Sequence, residues 1–396
     1  MRPLMKPLTV VIGVVILSAF FILYKISSSW NLPAPYFRCN PSMRRHGLKK
    51  GRNFTILDWS PTFFSKENGL PVNVYFDNCL ITRDKSQLEN SDVVVIEVRG
   101  IRYFEDMPEG RSPWQRWVYL NIESPFHAIL GERDYTMEDF TGKYAFNWTM
   151  TYRTDADIPM LHGWRVKKNQ TERMNTNIDS IVRSKTKLAA ALMSNCYYVK
   201  NGRDIYVEEL QKYMMVDVFG KCGTLKCPGH YTKNACEKVK EYKFFLAFEN
   251  SNCRDYVSFK IWMQGFGNNA VPVVFGANKE DYSKRVKVPP NSFIHADDFE
   301  TPKALAEYLK MLDKNETAYR QFHLWRKTYK IDYDYRFMGT FAWCNLCSTL
   351  NRRCNEAPKW HKTITDFENP AKDCHQNKWV ETQCENKTCS PEDRKD

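Results

Sequence analysis

Short apolar runs alternate with amphipathic segments through the middle of this chain. Residues 93–98 (VVVIEV) and 117–122 (WVYLNI) are almost wholly apolar, as in strands buried on both faces, and residues 147–153 alternate like a third strand. These segments predict an N-terminal α/β domain over residues 51–183.

A second set of alternating segments begins near residue 184. Strands are predicted at residues 216–219, 244–248 and 271–275, and helices at residues 207–215, 236–242 and 256–266. Residues 188–193 fit a strand or a helix by periodicity alone. The clearest helix is 301–312, where Thr301 is a suitable cap and Pro302 takes the first position.

Strands that alternate with helices of about a dozen residues are typical of βαβ units and parallel sheets. We therefore predict two α/β domains that face each other across a cleft, the second over residues 184–343. A cysteine-rich tail, residues 344–396, follows. Its Cys344-x-x-Cys347 spacing suits half of a zinc site or, in an oxidising compartment, disulfide bonds.

The N-terminus carries an uncharged apolar run at residues 8–24, about the minimum length for a membrane-spanning helix. Arg2 and Lys6 precede the run, which predicts a cytoplasmic tail (residues 1–7), a signal-anchor (residues 8–26) and a body across the membrane. A cleaved signal peptide is the alternative. Residues 27–50 contain serines, prolines and basic pairs, and they predict a stem.

Composition agrees with a lumenal or extracellular body. Thirteen cysteines predict disulfides, and their odd number leaves at least one thiol free or paired with another chain. The net charge of +12 suits nucleic acid, a membrane surface or a phosphorylated small molecule, but the Lys and Arg are dispersed, which argues against nucleic acid. Sequons predict glycosylation at Asn53, Asn147, Asn169, Asn315 and Asn386.

Two groups of acidic residues are candidates for chemistry. Glu123 follows a predicted strand and precedes a proline, so it is well placed as a general base if it faces a cleft, and is otherwise an ordinary loop acid. Asp155 and Asp157 form the Asp-x-Asp pattern that holds manganese in many nucleotide-sugar transferases. Other acidic pairs in the chain fit that pattern equally loosely.

Two basic residues are candidates for anion binding. Lys260 lies on a predicted helix that follows a strand end, and Arg203 follows a predicted loop; together they would form a seat for phosphate. The chain has no G-x-x-x-x-G-K-[ST] loop, G-x-G-x-x-G fingerprint or G-x-S-x-G elbow, which argues against P-loop ATPases, nicotinamide enzymes and α/β-hydrolases.

The same stretches carry a family resemblance. Residues 245–251 (FLAFENS), Asp255-Tyr256 and residues 270–274 (AVPVV) resemble the hallmark block of the α1,3/4-fucosyltransferases, an inverting Golgi family (glycosyltransferase family 10). Residues 121–125 (NIESP) resemble its base-bearing loop, and residues 146–153 resemble its interdomain segment. The resemblance covers roughly residues 117–326.

The resemblance implies a GT-B architecture, in which two Rossmann-like domains face each other and the C-terminal one binds most of GDP-fucose. It implies that Glu123 deprotonates the acceptor hydroxyl, and that Arg203 and Lys260 bind the diphosphate. It implies no metal and no cofactor beyond the GDP-fucose donor. Less specific donor-site or cleft matches are Tyr256, Asn195, Glu249 and Arg153.

Two residues depart from the family pattern. Phe259 stands where a Glu usually precedes the helix Lys, and a phenyl ring cannot accept hydrogen bonds from donor hydroxyls. If that carboxylate is simply missing, Phe259→Glu should strengthen donor use; if the pocket is rebuilt around the ring, it should not. Asn269 stands where Gly is common, and Asn tolerates a left-handed backbone better than most residues.

The sequence thus predicts a single-pass type II Golgi membrane protein that transfers L-fucose in α1,3 linkage to a GlcNAc-type hydroxyl. Its partners would be GDP-fucose and a glycan on a glycoprotein or glycolipid, and a homodimer is left open. The alternative is a catalytically weak member of the family that binds nucleotide or glycan, because of Phe259.

Overall fold

The structure is a computed structural model that describes residues 36–37, 52–61, 73–129, 133–196, 201–227, 235–333 and 335–385. The predicted signal-anchor (residues 8–26), the stem apart from residues 36–37, and Asn386 lie outside the described residues. Among those described, no helix is both long and apolar enough to cross a bilayer.

Eight strands of the described chain form the first sheet. They are β1 (Tyr36–Phe37), β2 (Phe54–Asp58), β3 (Val74–Phe76), β4 (Cys79–Thr82), β5 (Val93–Glu97), β6 (Arg116–Asn121), β7 (Trp148–Thr151) and β8 (Ile158–Pro159). Their order is β1-β3-β4-β2-β5-β6-β7-β8, and only β3 and β4 pair antiparallel. Every residue of β5 and β6 is buried, so the strands predicted from apolar runs are confirmed.

The second sheet is wholly parallel among the described residues. Its strands are β10 (Lys187–Leu192), β11 (Val216–Phe219), β12 (Tyr242–Phe248), β13 (Val271–Phe275) and β14 (Ile294–His295), in the order β11-β10-β12-β13-β14. Residues 188–193 therefore belong to a strand, because β11 and β12 hydrogen-bond to β10 from both sides. A separate antiparallel pair joins β9 (Trp164–Lys167) to β15 (Tyr329–Asp332).

The helices lie mainly around the second sheet and at the C-terminal end. They are α1 (Gln170–Met174), α2 (Ile178–Arg183), α3 (Arg203–Gln211), α4 (Pro302–Lys314), α5 (Glu316–Gln321), α6 (Tyr335–Arg353), α7 (Pro370–Asp373) and α8 (Lys378–Glu385), with π-helices at Lys260–Gly265 and Asp281–Arg285. Thr301 caps α4 as predicted, since its hydroxyl accepts from the Ala304 N–H at 3.2 Å.

Three predicted helices differ from the structure. The one expected at residues 207–215 spans Arg203–Gln211, four residues earlier in the chain. The helix expected at residues 256–266 starts only at Lys260, because residues 256–258 are held in other contacts: the Tyr256 and Val257 N–H groups donate to the carbonyls of Cys253 and Asp255, and the Ser258 N–H donates to Glu249. The helix expected at residues 236–242 is a 3₁₀ turn, Glu237–Glu241, and Tyr242 already belongs to β12.

The C-terminal segment packs on both sheets. Trp343, Leu346 and Leu350 of α6 lie in the core of the first sheet, and Val380 of α8 lies in the core of the second. Disulfides join Cys79 to Cys347 and Cys253 to Cys374.

The predicted disulfides are confirmed at these positions, and the zinc alternative is wrong for Cys344 and Cys347, because both are disulfide-bonded. Among the described cysteines Cys354 is free.

The order of the second sheet creates a topological switch point. From β10 the chain moves outward to β11 and then returns to the other side of β10 at β12. The loops that leave the carboxyl ends of β10 and β12 therefore diverge and open a crevice between them, the usual place for a ligand in such a sheet.

Candidate active site

A cavity of about 250 Å³ lies at this switch point, beneath the loop that follows β6 of the first sheet. Loops from both sheets therefore line the same cavity. Its lining residues are Ile122, Glu123, His162, Leu192, Ser194, Asn195, Arg203, Asn250, Tyr256, Ser258, Phe259, Lys260, Met263 and Gln264.

The loop that carries Glu123 is held by Asn121, the last residue of β6. The Asn121 side chain accepts from the Glu123 N–H at 3.0 Å and donates to the Glu123 carbonyl at 2.9 Å. Asn121 also donates to the buried carboxyl of Glu368 at 2.8 Å, and Tyr119 donates to the same oxygen at 2.7 Å. The backbone of Glu123 is therefore fixed by buried side chains behind it.

The carboxylate of Glu123 has two partners. Arg99 lies 3.0 Å from Oε1, and the hydroxyl of Tyr256 donates to Oε2 at 2.9 Å. Burial acts to raise the pKa of Glu123, but Arg99, the Tyr256 hydrogen bond and Lys260 outweigh it and hold the pKa below its ordinary value. Glu123 is therefore ionised at neutral pH and able to accept a proton.

The two domains are joined next to the cavity. Ser124, beside Glu123, and Ser251, in the loop after β12, are both buried, and their hydroxyls lie 2.8 Å apart. His127 Nδ1 lies within 3.2 Å of both hydroxyls. The contacts among Ser124, Ser251 and His127, together with the Glu123–Tyr256 hydrogen bond, fix the position of the loop after β6 relative to the loop after β12.

Lys260 stands at the start of the π-helix, on the second-domain side of the cavity. Its ammonium lies 2.6 Å from Glu249 Oε2 and donates to Ser258 Oγ at 3.1 Å. Glu249 itself is 1% exposed and does not line the cavity. Its carboxylate also accepts from the N–H and the hydroxyl of Ser258. Glu249 therefore acts through Lys260, by holding the ammonium at the cavity wall.

Arg203 is the first residue of α3, and its side chain is buried. The guanidinium donates to the carbonyl of Phe248, the last residue of β12, at 3.0 Å. It also donates to the carbonyl of Asn195, in the loop after β10, at 2.9 Å. Burial lowers the pKa of Arg203, although not enough to remove its charge. No acidic side chain within the described chain forms an ion pair with it, and its Nε has no hydrogen-bond partner. A guanidinium at a cavity that has no direct ion-pair partner can bind an anion there.

Arg153, predicted at a donor-site or cleft position, does not line this cavity among the described residues. Its guanidinium binds Asp155 through two hydrogen bonds (2.9 and 2.8 Å), lies 3.0 Å from Asp373 Oδ2 and donates to the Phe367 carbonyl. Arg153 therefore ties the end of β7 to the C-terminal segment. The guanidinium nitrogens of Arg153 donate to Asp155, Asp373 and Phe367.

Both carboxylates of the Asp-x-Asp pair form ion pairs with arginines. Asp155 binds Arg153 and Arg254, and Asp157 binds Arg353 at 2.9 Å. The described residues contain no cluster of side chains suited to a metal ion. Carboxylates paired with arginines offer a cation poor ligands. The pattern that suggested manganese is thus part of a structural ion-pair network.

Phe259 fills one wall of the cavity. Its ring meets the imidazole of His162 edge to face, with centroids 4.6 Å apart, and packs beside the core of the first sheet. His162 is buried, which lowers its pKa to about 4 despite the nearby Glu249 and Glu123. The ring therefore sits against a neutral imidazole where the family pattern has a carboxylate.

Two smaller predictions can be checked. Asn269 has φ 55°, so its left-handed conformation is confirmed. Asn147, in one of the predicted sequons, is fully buried, and its Nδ2, the atom that would carry a glycan, donates to the Lys359 carbonyl at 2.8 Å. Asn53, Asn169 and Asn315 are exposed.

Sequence reasoning missed Arg99, Glu368 and His162. Arg99 follows a predicted strand, as Glu123 does, and that shared position was a usable signal. Glu368 lies 247 residues after Asn121 in the predicted tail, and nothing in its local sequence marks it. His162 was one of eight histidines without metal-ligand spacing.

Comparison with known proteins gives a consistent picture. Residues 51–163 match the family described as "Fucosyltransferase, N-terminal", and residues 182–369 match "Glycosyltransferase family 10 (fucosyltransferase) C-term". The chain is 34% identical to Glycoprotein 3-alpha-L-fucosyltransferase A of Drosophila melanogaster over 295 residues, which is 74% of this chain and 54% of that protein.

Two further similarities extend this comparison. The chain is 35% identical to Alpha-(1,3)-fucosyltransferase 4 of Bos taurus over 62% of this chain and 58% of that protein. It thus spans little more than half the length of these two relatives. A crystal structure of an alpha1,3-fucosyltransferase with GDP-fucose superposes with a TM-score of 0.43 and 14% identity, covering 76% of this chain and 93% of that one.

Proposed function

Because the chain belongs to glycosyltransferase family 10, the fucosyltransferases, we propose that it transfers L-fucose from GDP-fucose to a glycan hydroxyl. The proposed linkage is α1,3, to a GlcNAc-type acceptor on a glycoprotein or glycolipid. The proposed architecture is GT-B, supported by two α/β sheets whose loops meet at one cavity.

One observation carries this proposal: an ionised carboxylate from the first domain and two cations from the second domain line the same cavity. Glu123 comes from the first sheet, and Lys260 and Arg203 come from the second. A transferase that inverts the sugar carbon needs a base on one side of that carbon and charge stabilisation on the other. The cavity offers both kinds of group.

The reaction follows from these positions. The acceptor oxygen attacks C1 of fucose while Glu123 takes its proton, and the bond from C1 to the diphosphate oxygen breaks. The electron pair of that bond leaves with GDP, so negative charge grows on the β-phosphate. Lys260 and Arg203 would stabilise this charge through charge-assisted hydrogen bonds.

The proposal needs no metal ion, because side-chain cations would neutralise the leaving diphosphate and Asp155 and Asp157 are paired with arginines. Full turnover in excess chelator is the expected result. A requirement for added manganese would contradict this part of the proposal and leave the role of Glu123 untouched.

The test is turnover of GDP-fucose by the purified protein with a panel of GlcNAc-containing acceptors. Release of GDP together with a fucosylated product is expected, and NMR of the product would establish the linkage and the anomer. Transfer to no acceptor in the panel would contradict the proposed activity.

A second candidate is a nucleotide- or glycan-binding protein with little turnover. The observation that favours it is Phe259, which lines the cavity beside the neutral His162 where a carboxylate would accept hydrogen bonds from a sugar. GDP binding without transfer to any acceptor would favour this candidate.

We further propose a Golgi location with a type II signal-anchor at residues 8–26 and a lumenal body. Disulfides such as Cys79–Cys347 and Cys253–Cys374 support an oxidising compartment. Resistance to alkaline extraction and protease protection of the body in intact vesicles are expected. Release of the protein by alkaline carbonate would contradict the anchor.

A further inference from the structure

A second cavity, of about 550 Å³, lies at the opposite end of the second sheet. It adjoins Asn269, just before β13 begins, whereas the candidate active site adjoins the ends of β10 and β12. The helical segment from Lys260 to Asn268 joins the two, because Lys260 lines the first cavity and Phe266 and Gly267 line the second. The second cavity is large enough for one or two sugar rings.

Arg326 gives this cavity a buried positive charge. The residue is 8% exposed, and its Nε and Nη2 donate to His323 Nδ1 (3.3 Å) and to the Phe266 carbonyl (3.4 Å). No acidic side chain of the described chain pairs with Arg326. Burial lowers its pKa to about 10, so it stays charged at neutral pH. A desolvated guanidinium without a counter-ion favours an anionic partner.

Two lysines add to this charge. Lys168 donates to Thr176 Oγ1 at 2.8 Å, and Lys330 is paired with Glu172. Glu172, the one carboxylate among the described residues of the cavity wall, also accepts from the Asn169 N–H at the start of α1. The described part of the wall therefore carries three cations and one acid, and the carboxylate of that acid already has partners.

Aromatic rings lie beside these cations. Trp325 lines the cavity, its buried indole N–H has no hydrogen-bond partner among the residues that the structure describes, and Arg326 lies over its ring at 4.4 Å. Tyr329 and Tyr333 line the same cavity. Aromatic faces next to hydrogen-bond donors suit a pyranose ring, which has apolar faces and a polar edge.

We propose that this second cavity binds an anionic saccharide, that is, a sugar carrying a carboxylate or a sulfate. Arg326, Lys168 and Lys330 would bind the oxyanion, and the aromatic side chains would pack against the ring. This site is separate from the candidate active site, and it requires no particular donor or acceptor there.

The test is calorimetric binding to the purified full-length chain in detergent, with GDP in excess. The probes are the α-methyl glycoside of N-acetylneuraminic acid, galactose 6-sulfate, neutral galactose and inorganic sulfate. At least one acidic sugar should bind about tenfold more tightly than galactose and inorganic sulfate, because hydrogen bonds to ions and ring contacts act together. Which acid binds separates the carboxylate from the sulfate as the ligand.

Surface variants keep the test independent of folding. Lys168→Gln and Asn175→Asp alter polar positions of the cavity wall, and each should weaken the acidic sugar about tenfold while leaving GDP affinity unchanged. Lys314→Gln, an exposed lysine at the end of α4, is the matched control. Equal binding of acidic and neutral sugars, or equal loss in the control, would overturn the proposal.

Discussion

The hydroxyl of Tyr256 donates a 2.9 Å hydrogen bond to Glu123 Oε2, and this bond joins the loop after β12 to the loop after β6. Tyr256 is buried, and burial together with the Glu123 charge raises its pKa well above the ordinary value, so it remains a donor. The proposed base is therefore oriented by the domain that would bind the sugar nucleotide.

Glu123→Gln tests the base directly. Turnover should fall by roughly 10²- to 10⁴-fold, since the amide cannot take the acceptor proton, while GDP affinity stays unchanged. Single-turnover kinetics and GDP titration measure the two quantities. Glu105→Gln, at an exposed carboxylate of the same domain, is the control. Unchanged turnover in the Glu123 variant would remove this residue from the mechanism.

Tyr256→Phe should shift the acidic limb of the kcat/KM profile to higher pH. The Tyr256 hydrogen bond helps to keep the pKa of Glu123 low, so removing it raises that pKa, and the base becomes protonated at a higher pH. Tyr152→Phe is the matched control, because the buried Tyr152 hydroxyl has no hydrogen-bond partner in the described part of the chain. The same shift in both variants would argue for a general effect of packing.

Lys260→Gln should raise the Kd for GDP about tenfold or more, because a charge-assisted contact to the diphosphate is lost. It should also lower stability by about 3 kcal/mol, since Glu249 is left as a buried, unpaired carboxylate. The double variant Glu249→Gln/Lys260→Gln should recover stability but not GDP affinity. Recovery of both would show that Lys260 acts only on the fold.

Phe259→Glu should lower the melting temperature and give no gain in donor use, because the new carboxylate would enter a wall formed by His162 and the first-sheet core. Phe259→Leu, which keeps the site apolar, should cost about 1 kcal/mol. Thermal unfolding and the KM for GDP-fucose are the measurements. Stronger donor use by the Glu variant would mean that the carboxylate is simply missing here.

Glu368→Gln should remove one pH dependence of stability. Burial raises the pKa of Glu368 to about 7, so the folded protein holds this proton more tightly than the unfolded chain does. Its contribution is present at low pH and is lost as the pH rises through about 7, an effect on the order of 3 kcal/mol.

Urea unfolding at pH 5 and pH 8 measures this effect. The wild type should lose more stability over that range than Glu368→Gln, whereas Glu307→Gln, an exposed acid on α4, should follow the wild type. Parallel curves for the wild type and Glu368→Gln would contradict the raised pKa.

Local pattern was enough for much of the fold. The strands β5, β6, β12 and β13 are nearly continuous apolar runs, and a run of that kind is buried wherever the sheet places it. The cap at Thr301 was predictable for the same reason, because it depends on neighbouring residues alone, whereas the left-handed Asn269 was expected from the glycine that is common at that position in the family.

Other features depend on residues distant in sequence. The helix expected at residues 256–266 begins late, after a turn at Asp255 whose carboxylate accepts from Thr154, in the segment that follows β7. Asn147 reads as a sequon, yet it is buried under the Lys359 carbonyl. The sequence predicts Arg153 at the donor site or cleft, and in the structure Arg153 forms an ion pair with Asp373 of the C-terminal segment.

The sequence by itself determined the α/β alternation and placed Glu123, Arg203 and Lys260 at or near strand ends, because burial periodicity and turn chemistry are local. Only the tertiary structure decided which groups meet: Arg99 and Tyr256 contact Glu123, and Glu368 contacts Asn121 behind it, from three separate segments. The physical reason is that ionisation and orientation depend on distances of a few ångströms across packed loops, and no local pattern encodes those distances.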